Sequence, residues 1–177
     1  QSIGGYYNGK YLNEIWGYES VGLASSKVEM DNWLTTNKPN WGSNWGAGDV
    51  MYKDLNGDGI VSSGANTLDD HGDLKRIGNA TPRYRIGLNL DAAYKGFDFS
   101  IFFQGVLKRD WFFGAGDAYF WGAQGNMWQS ACFEDHLDYW TENNTGAYYP
   151  NPYFGGIQKN QQTQTRYLQS AAYLRCK

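Results

Sequence analysis

Residues 83–107 read RYRIGLNLDAAYKGFDFSIFFQGVL, and this stretch decides the fold. Tyr84, Ile86, Leu88, Leu90, Ala92 and Tyr94 alternate with Arg83, Arg85, Gly87, Asn89, Asp91 and Ala93, the period of two that marks a strand with one apolar face. After Lys95-Gly96 the alternation resumes: Phe97, Phe99, Ile101, Phe103 and Leu107 fall on one face, Asp98, Ser100 and Gln104 on the other, with Phe102 and Val106 interrupting. A two-residue hairpin turn at Lys95-Gly96 pairs Tyr94 with Phe97, Ala92 with Phe99, Leu90 with Ile101, Leu88 with Phe103 and Tyr84 with Leu107, all of them apolar. The opposite face then pairs Asp91 with Ser100 and Gly87 with Gln104, and a slip of one residue would destroy both matches.

Periodicity alone fits two settings, a soluble sandwich hairpin with one face on a core, or a pair of barrel strands with one face on lipid. Each strand is close to the roughly 9–11 residues that cross a bilayer at a tilt, and aromatic residues stand at both ends of the stripe: Tyr94 and Phe97 at the turn, Tyr84 at the far end. The connections separate the two settings. The turn is short, whereas the flanks at 1–82 and about 108–166 are long and irregular, the rim asymmetry of outer-membrane barrels. Soluble domains rarely carry such long irregular connections without a functional reason.

The rest of the chain agrees with a β-rich, loop-rich protein. Its 177 residues are 41% hydrophobic, 18% aromatic and 19% charged, with 23 glycines. Fifteen Lys plus Arg against 18 Asp plus Glu give a net charge of −3, which offers no field for nucleic acid. The longest apolar run, Ala118 to Trp121, is far short of a spanning helix. Ser26-Lys27-Val28-Glu29 fits a capping box, so Val28 to Leu34 is expected to form a short helix ended near Asn37 to Pro39. Phe133, Leu137 and Trp140 predict a second amphipathic helix over Ser130 to Trp140. From Tyr167 the pattern turns β-like again, with Leu174 and Cys176 alternating with Arg175 and Lys177. An opening at Gln1 without Met, and a stop at Lys177 in mid-strand, lead us to expect a piece of a longer protein. Cys132 and Cys176 match no metal pattern and could form at most one disulfide.

Two features could carry chemistry. Asp54-Leu55-Asn56-Gly57-Asp58-Gly59 matches the start of a Ca2+ loop: oxygen ligands at Asp54, Asn56 and Asp58, the Ile60 carbonyl next, and Gly59 allowing the sharp turn. Ser62 and Ala65 stand where later acids belong, so closure would fall to Asp69, Asp70 or Asp73; the alternative is an Asx-turn loop bonded to its own backbone. Trp33, Trp41, Trp45, Trp111, Trp121, Trp128 and Trp140 all lie in the flanks among Tyr, Asn, Gln and Asp. Rings that stack, beside polar groups that fix orientation, suit sugar or peptide ligands, and Trp41, Trp45, Trp111, Trp121 and Trp128 are the expected ligand- or partner-facing set, with packing within the loops as the alternative. No catalytic residues are assigned: His71 and His136 are far apart in sequence, and no HExxH, GxSxG, Walker A or paired CxxC motif occurs.

Several segments, in order, resemble the C-terminal part of the SusC/RagA family of TonB-linked outer-membrane proteins. They are Glu14 to Glu19 (EIWGYE), Gly48 to Gly59 (GDVMYKDLNGDG), Arg76 to Tyr84 (RIGNATPRY), Gly87-Leu88-Asn89, Tyr94 to Ser100 (YKGFDFS), Phe102 to Val106 (FFQGV) and Tyr173-Leu174-Arg175. The resemblance implies an all-β fold, one part of a large antiparallel transmembrane barrel of about 22 strands with long extracellular loops carrying short helices. It implies a non-enzymatic importer of glycans or peptides, driven through TonB and lidded by a SusD-like surface lipoprotein, in the outer membrane of a Gram-negative bacterium. On that mapping Lys95-Gly96 is a periplasmic turn and the flanks are extracellular. Tyr84, Ile86, Leu88, Leu90, Tyr94, Phe97, Phe99, Ile101 and Phe103 face the lipid bilayer. Two positions depart from the family: members often carry acids at Ser62 and Ala65, and a bulky aliphatic residue at Cys176.

Overall fold

The computed structural model describes residues 1–125, 131–153 and 159–177. It is mostly strand: β1 (Glu14–Tyr18), β2 (Ser20–Leu23), β3 (Lys38–Pro39), β4 (Val50–Tyr52), β5 (Ile60–Val61), β6 (Leu74–Asn79), β7 (Arg83–Tyr94), β8 (Phe97–Lys108), β9 (Asp110–Trp111), β10 (Gln169–Ser170) and β11 (Tyr173–Cys176). Helix is confined to α1 (Lys27–Trp33), α2 (Ala118–Trp121) and 3-10 turns at Gly122–Gln124 and Glu134–Leu137. No helix among the described residues is long and apolar enough to cross a membrane.

Strands β7 and β8, each 12 residues long, form the hairpin in the expected register from Tyr94↔Phe97 to Gly87↔Gln104. Lys95 (φ 48°) and Gly96 (φ 85°) are both left-handed, the type I′ geometry whose twist matches that of the strands. At the far end the expected Tyr84–Leu107 pair does not form. Tyr84 is itself left-handed (φ 54°), and the ladder steps over it between Arg83↔Lys108 and Arg85↔Val106. β11 adds to β8, pairing Leu174 with Gly105 and Cys176 with Phe103, so Leu174 and Cys176 join the apolar face. The order β11-β8-β7 leaves both outer edges unpaired, and the three strands do not close on themselves.

The core lies elsewhere. Tyr18, Ala24, Met30, Trp45, Val50, Tyr52, Val61, Trp121, Tyr149 and Tyr167 belong to one buried cluster built from the flanks, to which β7, β8 and β11 contribute nothing. We call this body the cap. β1 pairs with β6, β2 with β4, and β3 lies parallel to β5, so the first flank folds on itself in two-stranded ribbons. α1 starts where Ser26 accepts from the Glu29 amide (3.1 Å); the Glu29 carboxylate reaches back to the Ser25 amide (2.7 Å), a capping box displaced by one residue. Met30 on α1 is fully buried. The second predicted helix shrinks to the turn at Glu134–Leu137, Ser130 lying outside the described residues. Beyond it the backbone pairs with 144–149 instead: the Trp140 amide donates to the Tyr149 carbonyl and the Tyr149 amide to the Asp138 carbonyl, both at 3.0 Å. That pairing seals Trp140 but leaves Phe133 (49%) and Leu137 (68%) exposed. Cys132 and Cys176 are free and exposed.

The turn generates a prediction. Gly96→Val forces a β-branched residue into the left-handed region and should cost about 1–2 kcal/mol, read as a lower urea midpoint of unfolding, while the β7–β8 strand register is kept.

Candidate functional site

Most of the three-stranded sheet is exposed on both faces among the described residues, Val106 on the reverse face being buried. Along its apolar face Ile86 is 40% exposed, Leu88 50%, Leu90 47%, Phe99 58%, Leu174 60% and Phe97 81%; Tyr84 and Tyr94 are also exposed, and Ile101 and Phe103 are half-buried. These are the residues the sequence marks as lipid-facing, and the structure brings them together on one surface. On the reverse face cross-strand partners are mainly polar or small: Gly87, Gln104 and Arg175 share a rung, Asp91 faces Ser100, and Ala93 faces Asp98. Phe102, which looked like an interruption, lies on this face opposite Asn89, and Val106 opposite Arg85. Among the described residues the sheet thus presents an apolar face and a mainly polar reverse, each largely exposed.

The loop at 54–60 is held by its own carboxylates. Asp54 accepts from the Gly57 and Gly59 amides (both 2.7 Å), Asn56 Oδ1 from the Asp58 amide (2.9 Å) and Asp58 from the Ile60 amide (2.7 Å). Burial pushes the Asp54 carboxyl up, but the Gly59 and Gly57 amides outweigh it and hold the group below the ordinary aspartate range. Asp73, fully buried, turns to the Leu55 and Asn56 amides (2.6 and 3.3 Å) and to the Ser62 amide (2.7 Å). Asp70 accepts from the Ala65 amide, and Asp69 points outward near the Gln1 amine. The Ile60 side chain is half exposed. Among the described residues no three acidic, His or Cys side chains converge, and Asp54, Asn56 and Asp58 bond the loop's own amides in the Asx-turn manner.

The tryptophans divide. Trp45 (7% exposed) and Trp121 (1%) are enclosed in the cap core, which corrects the expectation that they face a ligand. Trp41 packs half-buried between Tyr18 and Tyr52, at centroid distances of 4.7 and 5.2 Å. Trp111 is exposed at 42%, with the Arg109 guanidinium over its ring, and Trp128 lies outside the described residues. Half-buried Phe120 and Tyr148 line an open cleft of about 500 Å³ beside Glu134, Asp135 and Asp138, with the core residue Tyr149 at its base. The aromatic pair Tyr148-Tyr149 is the signal for it in the sequence, while Trp45 and Trp121 are taken by the core.

Polar groups also knit the cap. Lys159 and Asp49 form an ion pair at 2.7 Å with both side chains almost wholly buried. Asp49 also accepts from the Gly46 amide and the Asn160 amide group, while Lys159 donates to the Asn44 carbonyl and lies 3.8 Å from the centre of the Tyr153 ring. Burial pushes the Tyr18 hydroxyl up to about 12 and the Tyr52 and Tyr167 hydroxyls well above their ordinary value, so all three stay neutral donors.

Known proteins bear on these features. No family model matches the chain. The chain is 25% identical over 173 residues to "TonB-dependent receptor P3" of Formosa agariphila, a match covering 96% of this chain and 15% of the receptor. The chain therefore spans less than a sixth of the length of that curated relative.

Two predictions follow from the cap chemistry. Asp73→Ala strands three backbone donors and should lower the local opening free energy by about 3 kcal/mol, with hydrogen exchange at Leu55 and Ser62 accelerating together. Glu19 is hydrogen-bonded by Lys75, with Lys53 at 3.6 Å, and these ammonium groups hold its carboxyl below the usual range. Its folded value lies under its unfolded value of about 4.3. The stabilisation is thus complete above that pH and is lost as pH falls through the folded value. Cap unfolding followed by Trp fluorescence from pH 6 to 3 should show a falling midpoint, less steep in Glu19→Gln.

Proposed function

We propose that this chain is wall and extracellular cap from a TonB-dependent outer-membrane importer of the SusC type. The observation that carries the reading is the β11-β8-β7 sheet, which leaves an apolar face bare from Tyr94 and Phe97 to Ile86 while the loops bury a core of their own. A soluble domain does the reverse, putting its longest regular strands over its core. The likeness to a TonB-dependent receptor supports the same reading.

In this reading β7 and β8 cross the outer membrane of a Gram-negative cell, Lys95-Gly96 turns in the periplasm, and the open edges of β7 and β11 continue into neighbouring strands. The polar face lines the lumen. The cap stands outside the cell, where a SusD-like lipoprotein closes over it, and the aromatic cleft at Phe120 and Tyr148 receives a glycan or peptide, its carboxylates accepting hydroxyl or amide hydrogens. TonB acts on a plug outside this segment, and transport needs no bond-making step from these residues.

Fractionation of the source cells is the decisive experiment. The polypeptide containing this chain should partition with the outer membrane and migrate as a large band that shifts on boiling; a soluble band near 20 kDa would overturn the reading and favour a secreted carbohydrate-binding or adhesin domain. Leu88→Arg or Ile101→Arg should each cost about 2–4 kcal/mol of stability in bilayers, measured by urea titration in vesicles. Unchanged insertion and midpoint in both variants would mean that this face does not meet lipid.

A further inference from the structure

Six arginines are present, and they sort by partner. Arg76 and Arg83 meet carboxylates, at Glu14 and Asp110, and Arg166 donates to the Ala147 and Tyr148 carbonyls. The remaining three, Arg85, Arg109 and Arg175, have no carboxylate partner among the described residues, and all three gather at one place on the sheet. Arg85 and Arg109 line a pocket of about 230 Å³ together with Gln104 and Tyr173, over a floor made by buried Val106. No carboxylate lines it. Arg175 stands one rung further on the same face, paired through Gln104.

The guanidinium groups are preorganised. Arg109 donates to the Ala80 carbonyl (3.1 Å) and stacks over Trp111 (5.4 Å), and Arg175 stacks over Tyr173 (4.8 Å). Stacking fixes the plane of each fork and leaves its edge donors free, the presentation that suits a planar or tetrahedral oxyanion. Arg85 and Arg109 line the pocket and Arg175 lies one rung away, so among the described residues the positive charge gathered there is left for an anion to meet.

Resting on the proposed lumen-facing role of this sheet face, we infer that the pocket at Arg85, Gln104, Arg109 and Tyr173 is a subsite for an oxyanion substituent, carboxylate or sulfate ester, on an imported oligosaccharide. Its volume admits about one sugar ring, Tyr173 offers a face to that ring, Gln104 reads a hydroxyl, and the arginines hold the charge. The acidic residues at the cap cleft would repel the same substituent, so the charge is read on the wall, below the cleft that receives hydroxyl-rich parts of the chain.

The test uses the full-length protein carrying this chain, purified from outer membranes, and titrates it by calorimetry with tetrasaccharides of one backbone that are neutral, uronate-bearing or sulfated, plus an acidic hexapeptide. One or both anionic sugars should bind at least tenfold more tightly than the neutral one, and the preferred arm identifies the oxyanion. Arg85→Gln and Arg175→Gln should each weaken the anionic sugar about tenfold and leave the neutral sugar unchanged, with Arg85→Lys recovering part of the loss; heat-modifiable migration of each variant confirms that the barrel is intact. Equal affinity for neutral and anionic sugars, equal losses for both in the variants, or preference for the acidic peptide would each overturn the subsite. Since membrane partitioning is scored separately, loss of anion preference in a correctly inserted protein counts against this inference alone, whereas a soluble protein counts against the transporter reading beneath it.

Discussion

A two-residue turn cannot choose its register twice. With Lys95 and Gly96 both in left-handed conformation, Tyr94 must face Phe97, and every later pair of the 12-residue strands follows from that contact. Because side chains alternate strictly, the register sends the large apolar residues to one surface and the mainly polar or small residues to the other, and β11 extends both surfaces without changing their character. Among the described residues most of both surfaces is left exposed. The constraint therefore propagates outward: an apolar surface needs a nonpolar environment, unpaired strand edges need neighbours, and the residues that would normally build a core over such a sheet are released to build one elsewhere.

The cap is where they go. Its aromatic core, from Tyr18 and Tyr52 to Trp121 and Tyr167, allows long irregular connections to be ordered without resting on the strands. Buried backbone in such connections has few ladder partners, so side chains substitute for them. Asp54 and Asp73 satisfy five backbone amides between them, Asp49 and Lys159 neutralise each other while binding the loop at 43–46, and Arg166 closes on two carbonyls. Breaking one partner of the Asp49–Lys159 pair would leave a buried charge uncompensated, which costs far more than the pair contributes relative to apolar residues. The pair thus fixes how two distant loops meet more than how stable they are.

How much of this was legible in the sequence follows from the range of each determinant. The hairpin was readable because turn chemistry and alternation are both local, and α1 was readable because Ser26 and Glu29 are three residues apart. The β1–β6 ribbon was invisible, since Glu14 and Asn79 meet only after the intervening loops have folded. Burial of Trp45 and Trp121 was also hidden, because an aromatic ring among polar neighbours reads the same whether a core or a ligand takes it. Phe133, Leu137 and Trp140 misled for a related reason: helical spacing describes what a segment can do, and pairing of Asp138 and Trp140 with Tyr149 satisfied the backbone another way. The calcium-like spacing at 54–58 specifies oxygens that turn inward, and backbone amides accept that geometry as readily as an ion does.

The passage from the three-stranded sheet to the cap is made by a shift in strand pairing. Between β8–β11 and β9–β10 the pairing shifts by one residue, from Tyr173↔Val106 to Ser170↔Asp110. At the shift the Ala171 amide donates to the Arg109 carbonyl, and the Arg109 side chain donates to the Ala80 carbonyl of the incoming strand. Asp110 then accepts from the Asn79 amide and pairs with Arg83, so the bulge is pinned from both sides by charge-assisted bonds. A bulge re-aims the strands that leave it. Here it ends the alternation of β7 and β8 at the level where Trp111 and Tyr84 are exposed, and it hands the chain to a region whose order comes from side-chain bonds to the backbone. The arginines left without carboxylates gather at this same seam, because the strand carbonyls and aromatic rings there can orient a guanidinium without neutralising it.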